Sequence, residues 1–332
     1  MKSLAFLISI IATANAFTFL HPPPLSLSSS TSLSALNPGS TVALTTPMLP
    51  SGSLDIPAYR KLLQWHVESG TKGLCVLGTT GEASTLSFEE REEVLKVTKE
   101  EIKDKNHNVS IIVGTGTINP STCIKYSLQA LKYSADASLI VTPYYVKPTP
   151  TGLLNHYKKI ADAVPELPII LYNVPSRTGC DMLPSTVSLI KENCGSIIIG
   201  IKEATGDLSR VEPIKKMCGD DFMMWSGDDS TGSEFVLLGG DGVISVTANV
   251  APLKMNFIME AALAKDRSKV EEENEGLKGV HEELFCQANP IPVKWALWKM
   301  GRVEEGIRGP LTVLEEEYWG RVEKALEEAG IL

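Results

Sequence analysis

The sequence predicts an α/β chain: a (β/α)8 TIM barrel followed by a C-terminal helical domain. Three observations carry this. From residue 41 onward, short apolar runs rich in Val and Ile alternate with helical patterns, the mark of parallel strands covered by helices. Eight such runs succeed one another at the spacing of βα units. The stretch they occupy, from 41 to the late 250s, spans roughly 215 residues, near the usual length of such a barrel.

In chain order the candidate strands are STVALTTP (40–47), GLCVLGTT (73–80), SIIVGTG (110–116), ASLIVTPYY (137–145), PIILYNVP (168–175), IIIGIKEA (197–204), FMMWSGDD (222–229) and GVISVTAN (242–249). Helix signals fall between them. Ser87 and Glu90 form a capping box ahead of EREEVLKVTKEEIK. Asn119-Pro120 supplies a cap and a proline at the first helical position. Gly70, Gly195 and Gly219 stand where helices should stop, and Gly239-Gly240 reads the same way, because it precedes a strand at the wrong end of the barrel for a phosphate loop. An open doubly wound sheet is the competing architecture, but the first strand lacks a GxGxxG turn. Beyond about Lys265 no strand is predicted. KVEEENEGLKGVHEELFC and GPLTVLEEEYWGRVEKALEEAG read as amphipathic helices. The expected division is therefore a barrel over 40–264 and a helical domain over 265–332, packed on the barrel or on another subunit.

Composition narrows the function class. The chain has 332 residues, 43% of them hydrophobic and 21% charged, which suits a globular protein with a large core. A net charge of -9 and a pI near 5.2 disfavour nucleic acid or an anionic membrane as the main partner, leaving a small molecule as the expected one. The six cysteines are scattered without CxxC spacing and read as reduced thiols. The five histidines include no HxH or HExxH arrangement, so metal chemistry finds little support.

The first forty residues differ from the rest. Lys2, an apolar run from Leu4 to Ile11 and the small-x-small end Ala14-Asn15-Ala16 have the form of a signal peptide over 1–16. Residues 17–39 are rich in Ser, Thr and Pro and contain no acidic residue, the first in the chain being Asp55. That bias, opening on Phe17, resembles a transit peptide, and the two together predict a plastid destination through a bipartite presequence that is disordered or removed. Simple secretion with a Ser-rich linker is the alternative. The apolar run is too short to span a bilayer after maturation, and no other segment qualifies.

In a barrel of this type the active site forms at the carboxyl ends of the strands. The sixth strand ends on a lysine. Alternation puts Ile198, Gly200 and Lys202 on one face and Ile197, Ile199 and Ile201 on the other. A row of Ile against the helices would leave Lys202 inside the barrel, with Gly200 beneath it giving the stem room. Desolvation weakens a lysine's preference for the charged form, and a neutral amine is a nucleophile towards carbonyl carbon. An ion pair with Glu203 or Asp228 is the competing reading. Tyr172 shares the inward parity on its strand, where a phenol can relay protons or simply fill the core. Arg177, with Asp181 as its one nearby acid in sequence, can fork onto a carboxylate or be an ordinary surface arginine. Thr79 and Thr80, between Gly78 and Gly81, offer hydroxyls and N–H groups to an anionic oxygen, or form an unremarkable turn.

GTTGE, VTPYY, YNVPSRTG, GIKEATG, SGDD, GVISVTAN and NPIPVKWA, in order from about Ser40 to Leu332, resemble the dihydrodipicolinate synthase family of Schiff-base-forming, pyruvate-dependent aldolases. The resemblance implies a homotetramer of TIM barrels, built from tight dimers, that condenses pyruvate with L-aspartate 4-semialdehyde in the diaminopimelate route of lysine biosynthesis. No metal or organic cofactor is implied beyond a covalent pyruvate imine on Lys202. It further implies that Tyr172 donates and accepts protons, in a relay with Thr79 and with Tyr145 reaching in from a neighbouring subunit. Thr80 and Ile244 would contact pyruvate, Gly227 of SGDD would line the substrate site, and Arg177 would receive the semialdehyde's carboxylate.

The chain departs from the pattern of lysine-inhibited members. GTGTINPSTC places Ile118 and Thr122 where an Asn and a Glu hold the inhibitor, and Ala83 follows GTTGE where Ser is common, although Tyr144 is retained. An apolar side chain and a neutral hydroxyl cannot replace a carboxylate facing an ammonium group. Two other functions compete. A sister lyase acting on N-acetylneuraminate or 4-hydroxy-2-oxoglutarate would share the imine chemistry and differ in the aldehyde. An inactive metabolite-binding barrel would bind pyruvate without turnover.

Overall fold

The computed structural model describes residues 36–332. The presequence readings therefore lie almost wholly outside the described residues. Their last positions do not: Leu36 is buried, and Asn37 is tied to Ser110 Oγ and the Lys72 carbonyl. Residues 36–39, grouped above with the transit segment, thus close the amino end of the barrel.

All eight expected strands form: β1 Gly39–Ala43, β2 Gly73–Val76, β3 Ser110–Gly114, β4 Ala137–Val141, β5 Ile169–Asn173, β6 Ile198–Glu203, β7 Met223–Ser226 and β8 Gly242–Ser245. Each pairs in parallel with the next, and β8 returns to β1, so the sheet closes. The interior is filled from around the ring by Ala43, Cys75, Ile112, Leu139, Ile170, Tyr172, Trp225 and Ile244. Residues of the opposite parity, such as Val42, Leu74 and Ile201, pack against the helices. Strands buried on both faces need continuous apolar sequence, which is why they read as runs rather than alternations.

The helix signals act as expected. Ser87 and Glu90 make a reciprocal capping box at the start of the helix Phe88–Ile102. Asn119 caps Pro120–Lys132. Gly70, Gly195 and Gly219 all take positive φ at helix ends, and Gly239 does so after Asp229–Leu237.

Two expectations need correction. In β6 the pairing with β5 slips by one residue between Ile169 and Ile170, so that Ile198 faces Ile169 while Gly200 faces Ile170. The extra residue breaks strict alternation. Ile198 therefore packs among the helices and Ile199 against the barrel interior, the reverse of the simple parity, while Gly200, Ile201 and Lys202 keep their expected sides. The other correction concerns the C-terminal helices. The predicted helix over 269–286 is two, Arg267–Glu275 and Lys278–Glu283, and an additional one spans Ile291–Lys299. Residues 309–315 are not helical, and the last helix is Glu316–Glu328. These helices belong to the same compact unit as the barrel. Among the described residues no helix is long and apolar enough to cross a membrane, and all six cysteines are unpaired.

Candidate active site

At the carboxyl end of the barrel a cavity of about 200 Å³ is walled by strand ends and by the segment around Phe285 and Asn289. Lys202 and Tyr172 are partners in register on β6 and β5. Lys202 is 6% exposed and lines the cavity. Its Nζ lies 4.6 Å from the centre of the Tyr172 ring. Among the described residues it has no carboxylate partner. The two acids that could have claimed it are engaged elsewhere: Glu203 accepts from Asn173 and Thr205, and Asp228 caps the helix Asp229–Leu237 through Thr231. The ion-pair reading of this lysine is therefore excluded.

Room for the lysine stem comes from a different glycine than expected. A Cβ on Gly200 would meet the Met223 carbonyl oxygen at 2.3 Å and the Trp225 ring at 2.9 Å, so that glycine admits β7 and its tryptophan. A Cβ on Gly227 would stand 2.7 Å from Lys202 Cε and 2.5 Å from Ala204 Cβ. Gly227, at the end of β7, is the residue that leaves the lysine its channel.

The turn after β2 supplies the facing wall. Thr79 is exposed to the cavity, whereas Thr80 is buried and its Oγ1 accepts from Asn289 Nδ2 at 3.0 Å. The turn is bounded by Leu77 and Glu82, both non-glycine residues with positive φ (54° and 51°), a conformation costing about 1 kcal/mol or more each that persists only when surroundings impose it. What imposes it is buried charge. Glu82, 2% exposed, is paired with Lys294, and its other oxygen accepts from the Arg308 N–H at 3.0 Å. Lys294 also donates to the Thr46 carbonyl at 3.2 Å. Burial holds the Lys294 ammonium below its ordinary range, with Glu82 acting in the opposite direction.

Arg177 sits in the short helical turn Pro175–Thr178 at the cavity rim. Its Nη2 donates to the Asn289 carbonyl at 3.2 Å. Asp181, its one acid nearby in sequence, is held bidentately by Arg210 at 2.7 and 2.8 Å. Arg177 is thus left without a carboxylate partner among the described residues.

Two of the candidates are not brought to this cavity. Tyr145, at φ 71° and 87% exposed, does not line it. Ile244 is fully buried in the interior layer below and does not reach the cavity wall. Conversely, Asn289, Lys294, Val246 and Phe285 were not singled out as site residues. Lys294 carried the available signal, a lone lysine in the apolar run IPVKWALW. Its partner lies 212 positions earlier, beyond the reach of local pattern. No group of three or more His, Cys, Asp or Glu side chains among the described residues could hold a metal ion.

Comparison with known proteins agrees with this geometry. The model of the dihydrodipicolinate synthetase family matches residues 37–329. The 4-hydroxy-tetrahydrodipicolinate synthase of Methylococcus capsulatus is 49% identical over 294 residues, covering 89% of this chain and 99% of that protein. Its counterpart in Alcanivorax borkumensis is 48% identical, covering 89% and 98%. Among solved structures, the chloride-inhibited dihydrodipicolinate synthase of Acinetobacter baumannii, complexed with pyruvate, superposes with a TM-score of 0.84 at 47% identity, covering 89% of this chain and 99% of that one. These curated relatives are bacterial and the family match begins at residue 37. The bacterial source of these relatives overturns the plastid destination read from the first residues, while residues 1–35 of the signal- and transit-peptide readings lie outside the described residues. The chain belongs to the dihydrodipicolinate synthetase family.

Proposed function

We propose that this protein condenses pyruvate with L-aspartate 4-semialdehyde, through an imine on Lys202, to give 4-hydroxy-tetrahydrodipicolinate in the diaminopimelate route to lysine. The observation that carries the reading is a buried lysine with no counter-ion among the described residues, facing a cavity beside a tyrosine ring 4.6 Å away. As a neutral amine it attacks the keto carbon of pyruvate, and loss of water gives the imine. Loss of a methyl proton then gives an enamine whose carbon adds to the aldehyde. The amino group of the second substrate attacks the imine carbon and displaces the lysine amine, which closes the ring and frees the enzyme. Every step moves a proton, and the role of carrying it is assigned to Tyr172, whose ring adjoins the lysine.

Thr79 belongs to the proton relay, and Thr80, buried and anchored by Asn289, presents the turn that receives the pyruvate carboxylate. Gly227 keeps the lysine channel open, and Ile244 acts from beneath by supporting the interior layer that includes Tyr172. Arg177, free of acidic partners among the described residues, offers its fork to the semialdehyde's carboxylate. Tyr145 belongs to the relay of a neighbouring subunit. Its 87% exposure and strained backbone support that role, since neither serves the cavity of its own chain. The assembly is then a homotetramer built from tight dimers. The C-terminal helices, read as a domain over 265–332, bring Asn289 and Lys294 to the site.

Pyruvate with borohydride should leave a mass adduct on Lys202 that Lys202→Ala lacks, and an assay coupled to the downstream reductase should report turnover with aspartate semialdehyde. An unmodified protein would refute the imine. Use of a different aldehyde in preference would refute the substrate. Tyr145→Phe should lower turnover about a hundredfold with the fold intact, in the range of a lost proton-transfer group. Normal turnover in that variant would remove Tyr145 from the mechanism.

A further inference from the structure

One residue beyond Tyr172 and Lys202 on their strands stand Asn173 and Glu203, also partners in register. Alternation turns them to the outer side of the sheet, where they are 0% and 2% exposed. A buried carboxylate is costly unless it is well hydrogen-bonded. Glu203 accepts from Asn173 Nδ2 at 3.1 Å and from the Thr205 N–H at 2.9 Å, and Arg210 Nη1 stands 3.8 Å away. Burial still leaves its carboxyl above the ordinary range.

The Asn173 amide also works in a second direction. Its Nδ2 donates to Asp181 Oδ1 at 3.0 Å, and its Oδ1 accepts from the Met182 N–H at 2.9 Å. The segment that leaves β5 at Val174 and carries Arg177 therefore returns to the side chain of the residue from which it started. Arg210 closes the outside, gripping both oxygens of Asp181 and lying 3.4 Å from Asp207. Asn173, Asp181, Glu203, Asp207 and Arg210 do not line the cavity, so a buried polar network stands behind the site without touching what the site binds.

We propose that Asn173, Glu203, Arg210 and Asp181 form a positioning network that holds the Arg177 segment over the cavity. It sets the affinity for the carboxylate of the acceptor aldehyde separately from imine formation at Lys202. The inference rests on the function proposed above. Lys202 and Tyr172 are held by the ladder of a closed sheet, whereas the far end of the Arg177 segment, at Asp181 and Met182, is tied back by these side chains. Loosening the network moves the arginine before it moves the lysine.

The test uses Arg210→Ala, Arg210→Lys and Asp181→Asn in the full chain, with two readouts: borohydride trapping of pyruvate, and the KM for the semialdehyde measured apart from kcat. Trapping should stay within about twofold of the parent while KM for the semialdehyde rises about tenfold in Arg210→Ala, with little change in kcat. Arg210→Lys should recover only part of the loss, because an ammonium cannot grip both oxygens of Asp181. An unchanged KM in variants that trap pyruvate normally would overturn the proposal, as would trapping and turnover falling in parallel. Should Arg210→Ala fail to fold, Asp181→Asn, whose side chain is 36% exposed, decides by the same readouts. A parent protein that does not trap pyruvate would overturn the proposed function instead.

Discussion

Lys202 and Glu82 are both ionisable side chains buried at the carboxyl ends of barrel strands, 6% and 2% exposed, yet among the described residues one has no counter-ion and the other is paired with Lys294. Around Lys202 the surroundings are steric: a tyrosine ring above, Trp225 beside it in register, and a glycine where any larger residue would strike the stem. Around Glu82 they are ionic, with a lysine and a backbone N–H from the C-terminal segment fixing a turn that its own residues strain. The difference separates chemistry from scaffolding. A group that must react is kept unpaired and held by shape, whereas a group that must hold a loop is neutralised by a partner.

Removing each group should have different consequences, and the largest is at Lys202. Lys202→Ala should lower turnover by at least about a thousandfold, as expected for loss of a covalent nucleophile, with thermal stability equal or higher because an unpaired buried amine is lost. A large fall in Tm would show that Lys202 also has a scaffolding role and blur the contrast.

At the other wall, Lys294→Met should destabilise the fold by about 3–5 kcal/mol by stranding a buried carboxylate, and Glu82→Gln with Lys294→Met together should cost less than the sum of the single changes. Chemical denaturation checks both. Strict additivity would mean that the pair is not coupled.

Gly227→Ala tests the steric wall. Contacts of 2.5 and 2.7 Å to Ala204 and Lys202 must be relieved, at a cost of about 1–3 kcal/mol. The lysine should be displaced, so the rate of pyruvate trapping should fall more than the Tm. Gly200→Ala should show the opposite balance, because its clash is with β7.

The smallest effect belongs to the outer rim of the ionic wall. Arg308 pulls the Glu90 carboxyl down from 4.5 to about 2. A lowered carboxyl pKa stabilises the folded state above the unfolded value of 4.5, and that contribution fades as pH falls towards 2. With solvent screening the effect is about 1 kcal/mol. Glu90→Gln should lower Tm by a few degrees at pH 7 and by much less at pH 2.5. An equal deficit at both would assign the loss to the capping box, in which Glu90 also serves.

Strand ends and element types were legible in the sequence because parallel strands buried on both faces must be apolar throughout, and the polar residue that follows each run marks its carboxyl end. By that rule GIKEATG put a lysine, YNVPSRTG a tyrosine and an arginine, and GTTGE two threonines at one end of the barrel. The inner face of Lys202 was read correctly even though the parity of Ile198 and Ile199 was not, since the slip against β5 lies upstream of Gly200. A one-residue irregularity leaves no local trace when both faces take isoleucine.

The sequence by itself determined the eight-stranded order, the helix caps and which polar residues share the catalytic end, because each depends on periods of two or 3.6 residues and on glycine and proline chemistry near at hand. Only the tertiary structure decided that Gly227 rather than Gly200 opens the lysine's channel, that Glu82 is closed by Lys294, and that Tyr145 stays exposed outside its own cavity. Those outcomes depend on atoms brought together from distant parts of the chain, or on a surface left uncovered. Packing and desolvation act on distances in space, which no spacing along the chain encodes.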